Sequence, residues 1–291
     1  MVSGDELFQQ FLRERTYLKN VTPKTREWYE SAWKALKSTQ GDGEAWPLTK
    51  PLLQTFVVRL RERGVRPVSC NTWLKALNAF SAWLCEQGHL AQPVALASLR
   101  VEKRIIPTLD DAAISRLLAF KPRTFADWRV YTLDCTILDT GCRIQELLSA
   151  RVQDFDLDNL LLTVNGKGNK ERKVPFGFEL RKLLVRYEKA RDRVGCGQQL
   201  VFCTRLGGRV TQRNALRSHY ILLGKVGLPK FGFHRLRHTF ATQYLRHGGD
   251  VVRLSKILGH TQVTTTMRYL HLLTEDLQAP HQQLSILNRL R

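Results

Sequence analysis

Leu7, Phe8, Phe11 and Leu12 recur at helical spacing near the start of the chain and predict an amphipathic helix over 4–16. A second helix is predicted from Thr22-Pro23, where a hydroxyl can cap the first turn and proline suits the first helical position. Trp28, Tyr29, Ala32, Trp33 and Leu36 keep the same spacing along it, and Gly41-Asp42-Gly43 breaks it off. A third helix is predicted from about Thr49 to Arg63, stopping at Gly64. A fourth is predicted from about Ser69 to Gly88, with Trp73, Leu77, Phe80 and Leu84 as its buried stripe and Trp83 beside it. Short links between four such helices predict a compact bundle. Lys24, Arg26, Lys34, Arg59, Arg61, Arg63 and Lys75 fall on the outward faces.

The stretch from Leu99 to Pro107 is basic and ends in proline, so a boundary is expected there: 1–103 and 104–291. Beyond it, helical spacing predicts segments at 109–120, 125–138, 143–149, 178–192, 212–225, 234–247, 250–258 and 263–272. One β interruption stands out. Leu160–Val164 and Arg172–Pro175 flank Asn165-Gly166-Lys167-Gly168-Asn169, which is the pattern of a hairpin. Leu277, Leu284, Ile286, Leu287 and Leu290 predict a last amphipathic segment. The expected fold class is mainly α: a four-helix N-terminal domain and an α-rich second domain with a small antiparallel β-hairpin or sheet.

Charge narrows the class of partner. The 291 residues hold 46 Lys and Arg against 26 Asp and Glu, a formal net charge of +20. Such a surface favours a polyanion through phosphate neutralisation and counterion release. The excess is uneven, +5 in residues 1–103 and +15 in the remainder, so the second part should carry more of the phosphate contact. Nothing reads as a secretory segment or a membrane span. The six cysteines make no CxxC pair and fit neither a disulfide framework nor a zinc cluster. They read as reduced thiols in a cytoplasm. Cys142 abuts Arg143 and is either a reactive thiol or a small core residue.

Cleaving a phosphodiester without metal requires a nucleophile, cations for the non-bridging oxygens, an acid for the leaving oxygen and an acceptor for the nucleophile's proton. Arginine suits the second role because its planar fork bonds two phosphate oxygens and stays charged. The chain offers TGCRIQELL (140–148), VNGKGNKERKVPF (164–176), HRLRHTFAT (234–242), LGH (258–260) and the TTTMRYLH block around Tyr269, in that order. With these five stretches the chain resembles the tyrosine recombinases of the phage integrase family, especially the short Xer-like members. Arg143 to Lys167 is 24 residues, His234 to Arg237 three and His260 to Tyr269 nine, separations that fit the family pattern. The resemblance covers 104–291; the N-terminal bundle fits the family's core-binding domain by size and helix content alone.

The resemblance implies a role for each matched position. Arg143 and Arg237 would clamp the phosphate, and Glu146, at i+3 from Arg143, would orient basic neighbours or form an ordinary helix salt bridge. Lys167 would protonate the leaving oxygen, with Lys170 in the same turn as its rival. His234 would accept a proton or position the site, and His260 would hydrogen-bond a phosphate oxygen. Tyr269 would attack the phosphorus to form a 3′-phosphotyrosyl bond; Tyr220 and Tyr244 are the nearest rivals and read as core. His238, four residues from His234, has metal-ligand spacing but no HExxH glutamate and reads as structural.

No cofactor and no metal are implied. The implied partners are double-stranded DNA with inverted half-sites and further copies of the chain, as a tetramer on two sites, with residues 274–291 docking on a neighbour or on their own domain. The implied task is to integrate, excise or resolve a mobile element, with Xer-type chromosome dimer resolution as the alternative. A type IB topoisomerase-like relaxation enzyme and a non-catalytic DNA-binding regulator are the more distant readings.

Overall fold

The computed structural model describes residues 2–40, 46–101, 107–166, 171–196, 199–270, 285 and 287. Contacts divide the chain into two compact units, Met1–Arg104 and Ile105–Arg291.

Four helices build the described part of the first unit: α1 (Gly4–Tyr17), α2 (Pro23–Gln40), α3 (Lys50–Glu62) and α4 (Pro67–Glu86). Ser3 and Glu6 cap α1 reciprocally, and Thr49 caps α3 through the Leu52 amide. The core is aromatic. Phe8 stacks on Trp33 with centroids 4.9 Å apart, and Phe80 meets Phe8 edge-on at 5.2 Å. Each buried indole finds an acceptor, Trp33 Nε1 at Asp5 (2.6 Å) and Trp83 Nε1 at Glu14 (2.7 Å). Leu74 joins Leu77, Phe80 and Leu84 in the core, while Trp73 is only half-buried. The predicted stripe on α4 is therefore one residue off at its start: Leu74 is buried with the core, and the larger indole stays at its rim, 6.5 Å from the Phe56 ring.

After α4 the chain runs extended along that helix. Asn71, Asn78 and Ser81 share one face of α4 and bond the backbone of Leu99, Leu96 and Val94. Leu99, the first residue of the expected link, is thus fixed to the bundle; residues 102–106 of that link lie outside the described residues.

The second unit is helical around a small sheet: α5 (Asp111–Leu118), α6 (Phe125–Thr140), α7 (Ile144–Ser149), β1 (Phe155–Asp156), β2 (Leu161–Asn165), β3 (Glu171–Pro175), α8 (Phe178–Asp192), α9 (Gln212–Lys225), α10 (Phe233–Arg246), α11 (Val251–Leu258) and the short α12 (Thr264–Met267). The strands pair antiparallel in the order β1-β2-β3, with Leu162 opposite Val174 and Val164 opposite Arg172. The fold is the expected α-rich one with a sheet larger than a hairpin, since the two-residue β1 adds an edge strand. Where one helix was expected over 263–272, α12 stops at Met267, and residues from 271 lie outside the described set apart from 285 and 287. All six cysteines are free. Cys142 is a core residue, its thiol pushed up to about 11 by burial, which makes it a poor nucleophile at neutral pH.

The helix α6 runs through the middle of this unit and packs against α8, α9 and α10. At its centre Asp134 and His219 of α9 are fully buried. His219 Nδ1 lies 2.7 Å from Asp134 Oδ2 and Nε2 lies 3.0 Å from the Phe231 carbonyl oxygen. Both ring nitrogens face oxygen, yet a neutral imidazole has one N–H, so the pair must hold an additional proton. Burial pushes the Asp134 carboxyl up, against the pull of His219. A protonated carboxyl donating to Nδ1 satisfies the geometry without a buried charge.

Asp134→Asn offers the same donor through its amide and is expected to stay within about 1 kcal/mol of the parent. His219→Leu strands the carboxyl and is expected to cost about 2–3 kcal/mol or more. A raised carboxyl loses its contribution as pH climbs from the ordinary carboxylate value through the raised one, so the parent should lose stability across that window and Asp134→Asn should not. Urea unfolding of the three proteins between pH 4 and 8 measures both effects; equal pH slopes for parent and Asp134→Asn would show that the carboxyl is ionised throughout.

Candidate active site

Two glycine caps place the site's backbone. Gly141 ends α6 in the left-handed conformation (φ +64°), and a Cβ there would stand 2.3 Å from Phe240 Cδ1. Only glycine can make this turn so close to α10. The turn delivers Arg143 to the N-cap of α7, where the Glu146 carboxylate caps the Arg143 amide at 2.7 Å. Gly259 ends α11 in the same way (φ +65°), and a Cβ there would meet the Arg172 guanidinium at 2.9 Å. His260 follows directly.

Glu146 is the organising anion. Its Oε1 accepts from Arg143 Nη1 (3.0 Å) and Arg172 Nη1 (2.9 Å), and its Oε2 accepts from Arg172 Nη2 (2.9 Å) as well as from the Arg143 amide. Burial works to raise this carboxyl, but the Arg172 fork and the Arg143 contacts outweigh it and hold it below the ordinary value. Arg172 also donates from Nε to the Ile257 carbonyl at 2.8 Å. The Glu146 side chain is therefore more than an ordinary helix salt bridge: it ties α7 to β3.

Arg237 lies on α10 and is buried. It donates to the Gly141 carbonyl at 2.5 Å and to the Leu258 carbonyl at 2.8 Å, so a single guanidinium holds the ends of α6 and α11 together. Its Nη2 also lies 3.2 Å from His260 Nε2. Arginine only donates, so Nε2 accepts and the His260 proton sits on Nδ1, which donates to Thr266 Oγ1 at 2.8 Å. Burial and the neighbouring arginines push His260 down to about 4, which keeps it neutral. Burial and Arg143 lower Arg237 to about 10, still a cation at neutral pH. Arg143 reaches towards the same place, its Nη2 3.4 Å from the Gly259 carbonyl. Three guanidiniums against one carboxylate leave a net positive cluster whose most open member, Arg143, is 38 % exposed. Such a cluster can hold an anion bidentately.

His234 lies on the first turn of α10, its side chain open to solvent at one side, its basicity lowered by partial desolvation against the protein and by Arg237 and Arg143. Tyr269 is 1 % exposed, its ring packed with Ala241, Leu245, Leu254 and Leu258. Its hydroxyl lies 2.7 Å from His238 Nδ1.

Of the positions picked from the sequence, Arg143, Glu146, Arg237 and His260 form one bonded cluster. His234 lies one turn before Arg237 on α10, and Tyr269 bonds to His238 on that same helix. Lys167 and its rival Lys170 lie outside the described residues. Sequence reasoning missed Arg172. The signal was there: alternation along β3 puts Arg172 on the same face as buried Val174, while Glu171 and Lys173 point to solvent. It also missed the contact of His238 with the tyrosine. Among the described residues no group of histidine, cysteine, aspartate and glutamate has the geometry to hold a metal ion, and no helix is long and apolar enough to cross a membrane.

Residues 107–276 match the phage integrase family. The tyrosine recombinase XerC of Xanthomonas campestris pv. campestris is 33 % identical over 274 residues, covering 91 % of this chain and 83 % of that protein. XerC of Salmonella typhi is 29 % identical over 269 residues, covering 90 % of each. Among solved structures, the Tn1549 transposon integrase in complex with transposon right-end DNA superposes with a TM-score of 0.80 at 20 % identity, covering 98 % of this chain and 99 % of that one. The XerH site-specific recombinase bound to palindromic difH substrate gives 0.75 at 20 % identity, covering 96 % and 84 %.

Proposed function

Because the chain belongs to the phage integrase family, we propose that the cluster around Arg143, Arg237 and His260 binds the scissile phosphate of DNA and that Tyr269 attacks it. The enzyme is a tyrosine recombinase, which breaks and rejoins DNA at specific sites. The observation that carries the residue assignment is the placement of Arg237. It bonds Gly141, Leu258 and His260 at once, so the two motif arginines and the motif histidine meet at one point. In this reading the guanidiniums neutralise the charge that develops on the phosphorane. Tyr269 forms the 3′-phosphotyrosyl bond as the 5′ oxygen leaves, with Lys167 as the acid that protonates it. The freed 5′-hydroxyl of a partner duplex then reverses the step. Bond energy is kept in the covalent intermediate, so no nucleotide is consumed.

The unit Met1–Arg104 is assigned as a core-binding domain, with its exposed Lys24, Lys34 and Lys75 on the DNA side. Ile105–Arg291 is assigned as the catalytic domain. Four copies are assigned to two sites, each site a pair of inverted half-sites. The second unit has a groove of about 1250 Å³ between α5, α6, α8 and α10, walled by Leu118, Trp128, Leu138, Leu183 and Tyr244 and edged by Asp139. The sequence after Tyr269 offers Leu284, Ile286, Leu287 and Leu290, an apolar complement to the apolar wall of that groove. Leu287 is 74 % exposed, as expected of a side chain awaiting a cover. The occupant assigned to the groove is the tail of a neighbouring copy. Phe240 and Tyr244 line the groove and also pack on the Tyr269 cluster, so an occupied groove would bear on the tyrosine.

A plasmid carrying two sites should yield a deletion product with this protein. Truncation after Glu275 should leave half-site binding intact while abolishing cooperative filling of full sites and the deletion. Relaxation without deletion would instead support the topoisomerase-like reading, and unchanged cooperativity would overturn the tail assignment. Mapping covalent cleavage sites across a host genome separates the biological roles. Cuts at the ends of a mobile element support integration, excision or resolution of that element. A single chromosomal site supports dimer resolution, the second reading, which the likeness to XerC favours.

A further inference from the structure

Tyr269 must give up its proton as it attacks, so the reaction needs a group placed to accept it. The residue first expected to help, His234, is exposed and has no hydrogen bond among the described residues. His238, one turn further along α10, has its Nδ1 2.7 Å from the Tyr269 hydroxyl. The two rings are tilted 50° to each other with centroids 5.7 Å apart. The phenol ring is held in place by Ala241, Leu245, Leu254 and Leu258, so this contact is not one a free side chain happens to make. We propose that His238 is the proton acceptor of Tyr269: the tyrosine oxygen forms its bond to phosphorus as its proton passes to His238 Nδ1. This rests on Tyr269 being the nucleophile.

The step balances. The Oη–P bond forms, the P–O5′ bond breaks, the phenolic proton moves to Nδ1, and His238, already carrying a proton on Nε2, becomes an imidazolium. The 5′ oxygen takes its proton from the acid of the reaction. The surroundings suit a base that is empty before substrate arrives. Burial, Arg268, His234 and Arg237 push His238 down to about 4, so at neutral pH the ring is neutral, and in the tautomer protonated on Nε2 its Nδ1 lone pair accepts from the Tyr269 hydroxyl. Arg268 also sits over the phenol ring, 5.8 Å from its centroid. A DNA phosphate bound at the guanidinium cluster brings negative charge among these cations. It offsets their effect on His238 and raises its affinity for the proton at the moment one is released. His234, with ring centroids 6.3 Å from His238, is left to the phosphate side.

The test is single-turnover cleavage of a nicked suicide duplex by the full chain at pH 6 to 9. His238→Asn keeps an acceptor oxygen near the position of Nδ1 but cannot take the proton; His238→Ala removes both. Cleavage by both variants should fall roughly 100-fold or more, with DNA affinity and melting temperature close to the parent for His238→Asn. The parent's rate should be nearly flat across the range, while the variants' rates should climb about tenfold per pH unit. Added imidazole should partly restore His238→Ala and do nothing for Tyr269→Phe. Variants that cleave within threefold of the parent, or that are slow with an unchanged pH profile and no rescue, would overturn the proposal, the second outcome leaving His238 a positioning residue. An adduct formed by Tyr269→Phe would overturn the nucleophile assignment itself, a different result from either.

Discussion

The Tyr269→Phe protein is expected to bind its DNA site as tightly as the parent and to form no SDS-stable adduct. The phenyl ring stays within the Ala241, Leu245, Leu254 and Leu258 cluster, so the only loss is the hydrogen bond to His238, worth about 1 kcal/mol. Among the described residues Arg143, Arg172 and Arg237 make no hydrogen bond to the phenol, so the clamp is left intact. Binding and chemistry are thereby separated by a single oxygen atom. The assay uses a nicked suicide duplex in EDTA, because in the proposed reaction guanidiniums stabilise the transition state and the tyrosine supplies the nucleophile. Denaturing electrophoresis reads the adduct and a gel shift reads the affinity. An adduct of undiminished yield in the variant would move the nucleophile elsewhere, with Tyr220 and Tyr244 to be tried next.

The same contacts explain what could be read from the sequence and what could not. Arg143, Arg237, His260 and Tyr269 stand in short motifs whose internal separations survive without any knowledge of the fold. The helices beside them, α7, α10 and α11, also carry apolar residues at helical spacing. Arg172 and His238 act through partners 26 and 31 residues away, and no local pattern announces such a contact. Gly141 and Gly259 were visible as motif letters, but the reason for them is tertiary: Phe240 and the Arg172 guanidinium lie where a Cβ would go. The strand β1 is two residues long, too short for an alternation to register. The extended stretch that Asn71, Asn78 and Ser81 fasten to α4 has no period, because side-chain amides and a hydroxyl hold its backbone rather than a ladder or a helix.

Replacing Glu146 should cost more than replacing Glu146 and Arg172 together. The carboxylate receives four hydrogen bonds, two from Arg172 and two from Arg143, and the paired side chains of Glu146 and Arg172 are 8 % and 14 % exposed. Glu146→Leu leaves the Arg172 guanidinium with no anion in a site that is largely closed to water, a loss of about 3–5 kcal/mol. Glu146→Leu with Arg172→Met removes the stranded charge and restores apolar contact, so the double variant should be the more stable of the two. Arg143 loses its orienting partner in both, so cleavage should fall in both; regained stability without regained activity would show that the anion serves the arginines as well as the fold.

The Glu146→Gln variant supplies the pH check. The folded protein holds the Glu146 carboxyl below its ordinary value, against burial and by virtue of Arg172 and Arg143. Its contribution is fully present above the unfolded value of about 4.5 and disappears as pH falls through the folded value. The gap in melting temperature between parent and Glu146→Gln should therefore be widest near neutrality and close on acidification. A gap that stays constant down to pH 3, or a double variant less stable than Glu146→Leu, would mean that the carboxylate is not the anion that holds Arg172 in place.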